Sequence, residues 1–213
     1  MNRKIMPWAL LLAWIAVLVP SALASAQEIH IEGITTFSAV GSASELRATG
    51  EPTPTCEATD VTGTINSGGT TGTMNLDITG CHMNILGFTI KCRTAGSALD
   101  NTVNLGATFH LITYNEKPAV LFTPTTVNLV CAGTQQITIS GNSIATITSP
   151  KCGATSKTLG LSFTAAGVTQ DHRLYTGVEY DLKFQTGGGS QVTAATTQTF
   201  TVTSTTEGKL NCT

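Results

Sequence analysis

The chain has 213 residues, enough for one large domain or two small ones, and its 11 basic and 13 acidic residues give a net charge of −2. Charged residues make up only 11% of the chain, and no basic run is longer than two residues. Since a phosphate backbone or an anionic membrane attracts clustered Lys and Arg, binding to nucleic acid or to such a membrane is not expected.

The start of the chain has the pattern of a secretory signal peptide. Arg3 and Lys4 precede an apolar stretch at 5–19, and small residues follow. Cleavage after Ala26 fits signal peptidase best, and cleavage after Ala24 is the alternative. The apolar stretch is shorter than the roughly 20 residues of a bilayer span, and no later stretch reaches that length. The mature chain, with a net charge of −4, is therefore predicted to be secreted or held at the cell surface, with no transmembrane segment.

Beyond the signal peptide, alternation of apolar and polar residues predicts β-strands with one solvated face. It is clearest at 103–111 and 178–184, and Thr takes the surface role that Lys and Glu usually have. Turn residues at 66–69 and 140–143 predict two hairpins, and the glycine-rich segment 187–190 predicts a further turn.

Turns recur every 8–12 residues or so, which is typical of a sandwich or a barrel. We predict an all-β, antiparallel, disulfide-stapled β-sandwich, as one unit or as two similar small halves. The chain divides into the signal peptide at 1–26, an N-terminal strand or extension at 27–50, and the β-sandwich domain at 51–213.

All six cysteines lie in the mature chain, and an even number in an exported protein predicts structural disulfides. No two of them are spaced as in a zinc or redox motif, so neither a metal nor a cofactor is predicted. The preferred pairing is Cys56–Cys81, Cys131–Cys152 and Cys92–Cys212. The alternative joins Cys92 to Cys131, because both end strands on the core-facing side.

Two segments carry a resemblance. Thr55–Ile65 contains a cysteine and a Thr-Gly-Thr strand, and Leu76–Cys81 is a second strand that ends in Gly-Cys. This pattern resembles a broad group of exported β-rich proteins of soil actinobacteria, over about residues 50–152. The resemblance implies an exported β fold and no particular activity.

No hydrolase, metalloprotease or nucleotide-binding motif is present. His82 stands between a cysteine and a methionine, which are copper ligands in other proteins, but neighbouring strand residues point to opposite faces. The carboxylates Asp77, Glu179 and Asp181 could serve a hydrolase, although strand carboxylates of this kind usually face water.

Both tryptophans lie in the signal peptide, so a sugar would have to stack on Tyr114 or Tyr175. We therefore predict a non-enzymatic exported surface, adhesion or structural protein, whose partner is a cell-surface protein or a glycan. A carbohydrate-binding module is the first alternative and a secreted hydrolase that uses strand carboxylates is the second.

Overall fold

The computed structural model describes residues 29–123, 126–163 and 182–212. Within these ranges every regular element is a β-strand, and no helix is long and apolar enough to cross a membrane. The strands are β1 (Ile29–Glu32), β2 (Thr36–Gly41), β3 (Ser44–Ala48), β4 (Pro54–Cys56), β5 (Ala58–Ile65), β6 (Thr71–Thr79), β7 (His82–Ile85), β8 (Phe88–Thr94), β9 (Thr102–Tyr114), β10 (Lys117–Thr123), β11 (Val127–Cys131), β12 (Gln135–Ser140), β13 (Ser143–Ser149), β14 (Thr155–Phe163), β15 (Lys183–Thr186) and β16 (Val192–Cys212).

Most of these segments continue one another in pairs and form the wall of a barrel. The pairs β2–β3, β4–β5, β6–β7, β8–β9, β10–β11 and β12–β13 each act as one long strand, β14 and β15 together take the seventh position in the wall, and β16 is the eighth. Each long strand pairs antiparallel with its neighbour in the chain, and β16 pairs with β14 and β15 on one edge and with β2 and β3 on the other. The wall is therefore a closed, up-and-down, eight-stranded barrel.

The prediction of an all-β antiparallel fold is confirmed, but the sheet closes into a barrel instead of forming a clear sandwich. Alternating residues are common to both architectures. What distinguishes them here is the pairing of β2 with β16, such as Ala39 with Val202, over a sequence distance that local patterns do not reveal. The predicted domain boundary at residue 50 lies in the turn between β3 and β4, and strands on both sides of it belong to the barrel.

The structure contains one of the two predicted hairpins and not the other. The hairpin at 66–69 is confirmed, because Asn66 and Thr71 are hydrogen-bonded across the turn between β5 and β6. The hairpin at 140–143 is wrong, because β12 pairs with β11 and β15 whereas β13 pairs with β10 and β14. Gly141, at φ 95°, bends a single long strand there.

The disulfides are Cys56–Cys81, Cys92–Cys131 and Cys152–Cys212. The continuity of the β12–β13 strand explains which predicted pairs are absent. The first predicted pair and the alternative pair Cys92–Cys131 are confirmed, and the latter two residues are direct cross-strand partners. The predicted pairs Cys131–Cys152 and Cys92–Cys212 are wrong. Cys131 and Cys152 flank the long β12–β13 strand, so they lie at opposite ends of the barrel, roughly 45 Å apart along the strand at about 3.3 Å per residue.

We name the two ends of the barrel by what lies there. The cap end holds β1, the turns at 66–70, 115–116 and 150–154, and the end of β16. The base end holds the turns at 49–53, 86–87, 132–134 and 187–191.

The inner face of the barrel is apolar, and the outer face is polar except for an apolar cluster around Leu121. In β9 the inward-facing residues are Val103, Leu105, Ala107, Phe109 and Leu111, as the alternation predicts. The alternate residues Asn104, Gly106 and Thr108 are exposed. Across β5, β6 and β9, threonines and asparagines cover the outside.

Three phenylalanine rings inside the barrel each lie opposite a glycine on the neighbouring strand. Phe37 pairs with Gly63, Phe109 with Gly72 and Phe200 with Gly41. A β-carbon on any of these glycines would overlap the facing ring. The glycines therefore give the rings room inside a closed barrel, in the arrangement called aromatic rescue.

Candidate functional site

An apolar cavity of about 180 Å³ lies inside the barrel, between its base end and its cap end. Leu76, Leu105 and Ala107 point inward but are only partly buried, because they border this space. Other members of the lining are Ala39, Leu46, Val61, Ile78, Val127, Leu129, Ile139 and Leu182, and the polar exceptions are Ser44, Ser143, Thr196 and Gln198.

Phenylalanine rings form the cavity's boundary toward the cap end. Phe163 contacts Phe122 at 5.0 Å and Phe200 at 5.8 Å between ring centroids, and Phe37 meets Phe109 edge-on at 5.8 Å. Beyond this layer lies a second apolar cavity of about 60 Å³, which shares Phe37 and Phe122 with the first.

The base end is densely filled. Met83, Cys92, Cys131, Ile137 and Phe184 have 0% of their surface exposed. The Cys56–Cys81 bridge joins β4 to the segment between β6 and β7, and Cys92–Cys131 joins β8 to β11. Sulfur and aliphatic side chains therefore close the barrel below the cavity.

Strand β1 closes the cap end. It pairs with the last four residues of β16, and the Ile31 amide donates a hydrogen bond to the Gly69 carbonyl in the β5–β6 turn. It also contacts β9, which belongs to the fourth long strand from β16 around the barrel, so it crosses the opening. Ile29 is buried in the core below, and its cross-strand partner Cys212 is bonded to Cys152.

A small polar cluster holds the outer side of this cap. Nε2 of His30 lies 3.2 Å from Oε1 of Glu32 and 3.2 Å from Nδ2 of Asn211. Hydrogen bonds from His30 and Asn211 lower the pKa of the Glu32 carboxyl below its ordinary value. Since Asn211 belongs to β16, the ionised carboxylate favours the pairing of β1 with β16.

Two polar side chains of β16, Thr196 and Gln198, line this cavity. Gln198 is only 8% exposed, and its Nε2 donates to the Ser42 carbonyl at 2.9 Å and to Thr59 Oγ1 at 2.7 Å. The carboxamide is thus fixed in orientation within an otherwise apolar wall.

Among the described residues, the ligand and catalytic candidates from the sequence, Tyr114, Asp77 and His82, do not line this cavity. Tyr114 packs against an apolar cluster on the outer face around Leu121, and Tyr175 lies outside the described residues. Asp77 faces outward and accepts a hydrogen bond from Asn104, while Glu179 and Asp181 are also outside the described residues.

His82 takes part in local hydrogen bonds. Its Nδ1 lies 2.8 Å from the Gly80 carbonyl, which can only accept, so Nδ1 carries the proton and Nε2 accepts from Thr55 Oγ1 at 3.1 Å. The adjacent Cys81 is in a disulfide. Across the described ranges no three His, Cys, Asp or Glu residues are grouped to hold a metal ion.

Sequence reasoning missed both the cavity and Gln198. The inward position of Gln198 was readable, since it shares the parity of Phe200 and Val202 on one strand. An inward amide among apolar residues is the signal that could have drawn attention to it.

Comparisons with protein families, with curated proteins and with solved structures gave no match to this chain.

Proposed function

We propose that this protein binds a small apolar molecule inside its barrel and that it is an exported, non-enzymatic binding protein. The observation that carries the proposal is the central cavity of about 180 Å³. An apolar cavity of about 150 Å³ in another protein is known to stay dry and to bind benzene. The space here thus suits a molecule of about the size of a substituted benzene ring.

The lining favours an apolar ligand over a sugar. A sugar would bury several hydroxyl groups, and each would need a hydrogen-bonding partner. The wall offers few polar groups among the described residues, and the carbohydrate candidate Tyr114 does not line it, while Tyr175 lies outside those residues. A hydrolase is supported no better, since Asp77 points away from the cavity.

Export fits the same proposal. Three intrachain disulfides are typical of proteins folded outside the cytoplasm. A surface or adhesive role remains the alternative. Assembly by strand addition lacks a template in the described ranges, because closing the barrel leaves no long unpaired edge. The most exposed apolar side chains are Leu86 and Phe88, at the tip of the β7–β8 hairpin.

Toluene binding to the folded, oxidised protein tests the proposal. At a free concentration of ten times its Kd, a ligand adds about 1.4 kcal/mol of stability, which raises the Tm of a domain of this size by about 3–6 °C. The variant Ala107→Leu places a larger side chain in the cavity and is expected to abolish the increase, because the leucine occupies the ligand's space.

The matched control is Asn75→Leu, which adds a leucine on the outside of the wall beside Met74, the cross-strand partner of Ala107. This variant is expected to keep the full toluene response. An unchanged Tm in the wild-type protein at saturating toluene would reject the cavity proposal and leave the exposed Leu86 and Phe88 as the residues to test for a surface role.

A further inference from the structure

Gln198 offers the cavity a hydrogen-bond acceptor. A carbonyl oxygen only accepts, so the atom 2.9 Å from the Ser42 carbonyl must be the amide nitrogen, Nε2. Nε2 has two hydrogens, and the second is directed to Thr59 Oγ1 at 2.7 Å. Both donors are therefore used within the wall.

The remaining polar atom of this side chain is Oε1. No hydrogen bond to it is found among the described residues, and it is not among the fully enclosed polar atoms that lack a partner. Since Gln198 lines the cavity and is more than nine-tenths buried, the accessible surface of Oε1 faces the internal space.

The neighbouring strand makes room for this orientation. A β-carbon at Gly41 would lie 2.6 Å from Gln198 Nε2 and 2.7 Å from the Phe200 ring. With glycine at this position, the carboxamide lies flat along the wall and can reach the Ser42 carbonyl and Thr59 together.

We propose that the cavity selects an apolar ligand that carries one hydroxyl or N–H group, and that this group donates a hydrogen bond to Gln198 Oε1. The inference rests on the proposed function and adds the ligand's chemical class. A phenol or a small cyclic alcohol meets both requirements, whereas a hydrocarbon fills the space and leaves the acceptor without a partner.

The first experiment compares three probes of similar shape by calorimetry on the wild-type protein: toluene, p-cresol and 4-methylanisole. Toluene tests the cavity alone, p-cresol adds a donor, and 4-methylanisole has the same oxygen without a donor. We expect p-cresol to bind at least as tightly as toluene and about 5- to 100-fold more tightly than 4-methylanisole, because an unpaired buried acceptor is costly.

The second experiment uses Gln198→Met, which keeps the length of the side chain and removes the carboxamide. Its p-cresol affinity is expected to fall about 5- to 100-fold, since the phenolic hydroxyl would be buried without a partner. Toluene affinity should stay within about threefold, which also establishes that the cavity is still folded. The matched control Thr197→Val removes a hydroxyl from the exposed neighbour of Gln198 on β16, which does not line the cavity, and should leave both affinities unchanged.

The outcomes separate the two proposals. If neither toluene nor p-cresol binds the wild-type protein, the proposed function is wrong. If toluene binds and p-cresol binds no more tightly than 4-methylanisole, only the assignment of Gln198 is overturned, and an equal loss of p-cresol affinity in Thr197→Val would overturn it as well. Should Gln198→Met fail to fold, the comparison of probes in the wild-type protein decides alone.

Discussion

The two halves of the barrel have the same strand pattern but different interiors. At the base end, side chains such as Met83, Ile137 and Phe184 have no exposed surface, and two disulfides join neighbouring strands. In the other half, rings such as Phe163 and Phe200 are 8% exposed and border a cavity. The flexible Met83 side chain adapts to irregular gaps at the base end, whereas the space beside Phe163 and Phe200 is left unfilled.

The base end and the middle of the barrel therefore have different roles, the first in stability and the second in the proposed ligand binding. The base end supplies stability through dense packing and covalent bonds. The middle of the barrel leaves apolar surface uncovered, at a cost in stability that a bound ligand would offset. Functional sites of many proteins depart from optimal packing in this way.

The largest expected effect comes from reducing the disulfides, because it acts on both halves. Each bridge is expected to contribute about 2–4 kcal/mol, so full reduction should lower the Tm by many degrees. The two halves should differ in the order of reduction. Cys152 is exposed at the cap end, whereas Cys92 and Cys131 are 0% exposed. Since exchange needs access to sulfur, Cys152–Cys212 should open first under mild reductant.

Alkylation of free thiols during the reaction, followed by mass spectrometry, gives this order directly. Unfolding the protein before adding the reductant is the control, because it should remove the difference between the bridges. Early reduction of Cys92–Cys131 in the native protein would contradict the dense packing assigned to the base end.

A smaller effect is expected from changing the glycines that face the aromatic rings. Gly63→Ala places a β-carbon against Phe37, and overpacking of this kind costs about 1–3 kcal/mol. Gly106→Ala is the matched control, since its β-carbon would point outward with its nearest neighbour at 3.6 Å. This variant should be neutral or stabilising by about 0.4–1 kcal/mol.

Chemical denaturation of the two variants measures the difference. If the cost at Gly63 arises from the ring, adding Phe37→Leu should restore part of the lost stability. Equal stabilities of Gly63→Ala and Gly106→Ala would mean that the close fit of ring and glycine does not contribute to the fold.

Local sequence patterns predicted the strand content of this chain, and the reason is visible in β9. Its alternating residues depend only on which face is buried, so they could be assigned without knowledge of the partner strands. The hairpin at 66–69 was also predictable, since its turn chemistry acts within five residues.

The closure of the barrel and the site could not be predicted in the same way. Gly141 looks like a turn residue but bends a continuous strand, and this one error misassigned the partner of Cys152. The cavity depends on how Phe37, Phe109 and Phe200 pack across the barrel, which is set by pairings far apart in sequence. The role of Gln198 follows from two hydrogen bonds to distant residues.

The smallest expected effect concerns the polar cluster that holds β1 over the cap end. The pKa of Glu32 is lowered from its ordinary value of 4.5 by the hydrogen bonds from His30 and Asn211. A carboxyl with a lowered pKa stabilises the folded state above its unfolded pKa, and this contribution is lost as the pH falls through the folded pKa. Wild-type protein should therefore have a slightly higher Tm than Glu32→Gln at neutral pH, and the gap should narrow as the pH is lowered from 4.5. Because Glu32 is exposed, solvent screening keeps the effect small.

If His30 and Glu32 act together, His30→Gln should produce a similar change in Tm, and the double variant should add little to it. A Tm difference that stays constant across the acidic range would show that the carboxylate's charge does not hold β1 in place.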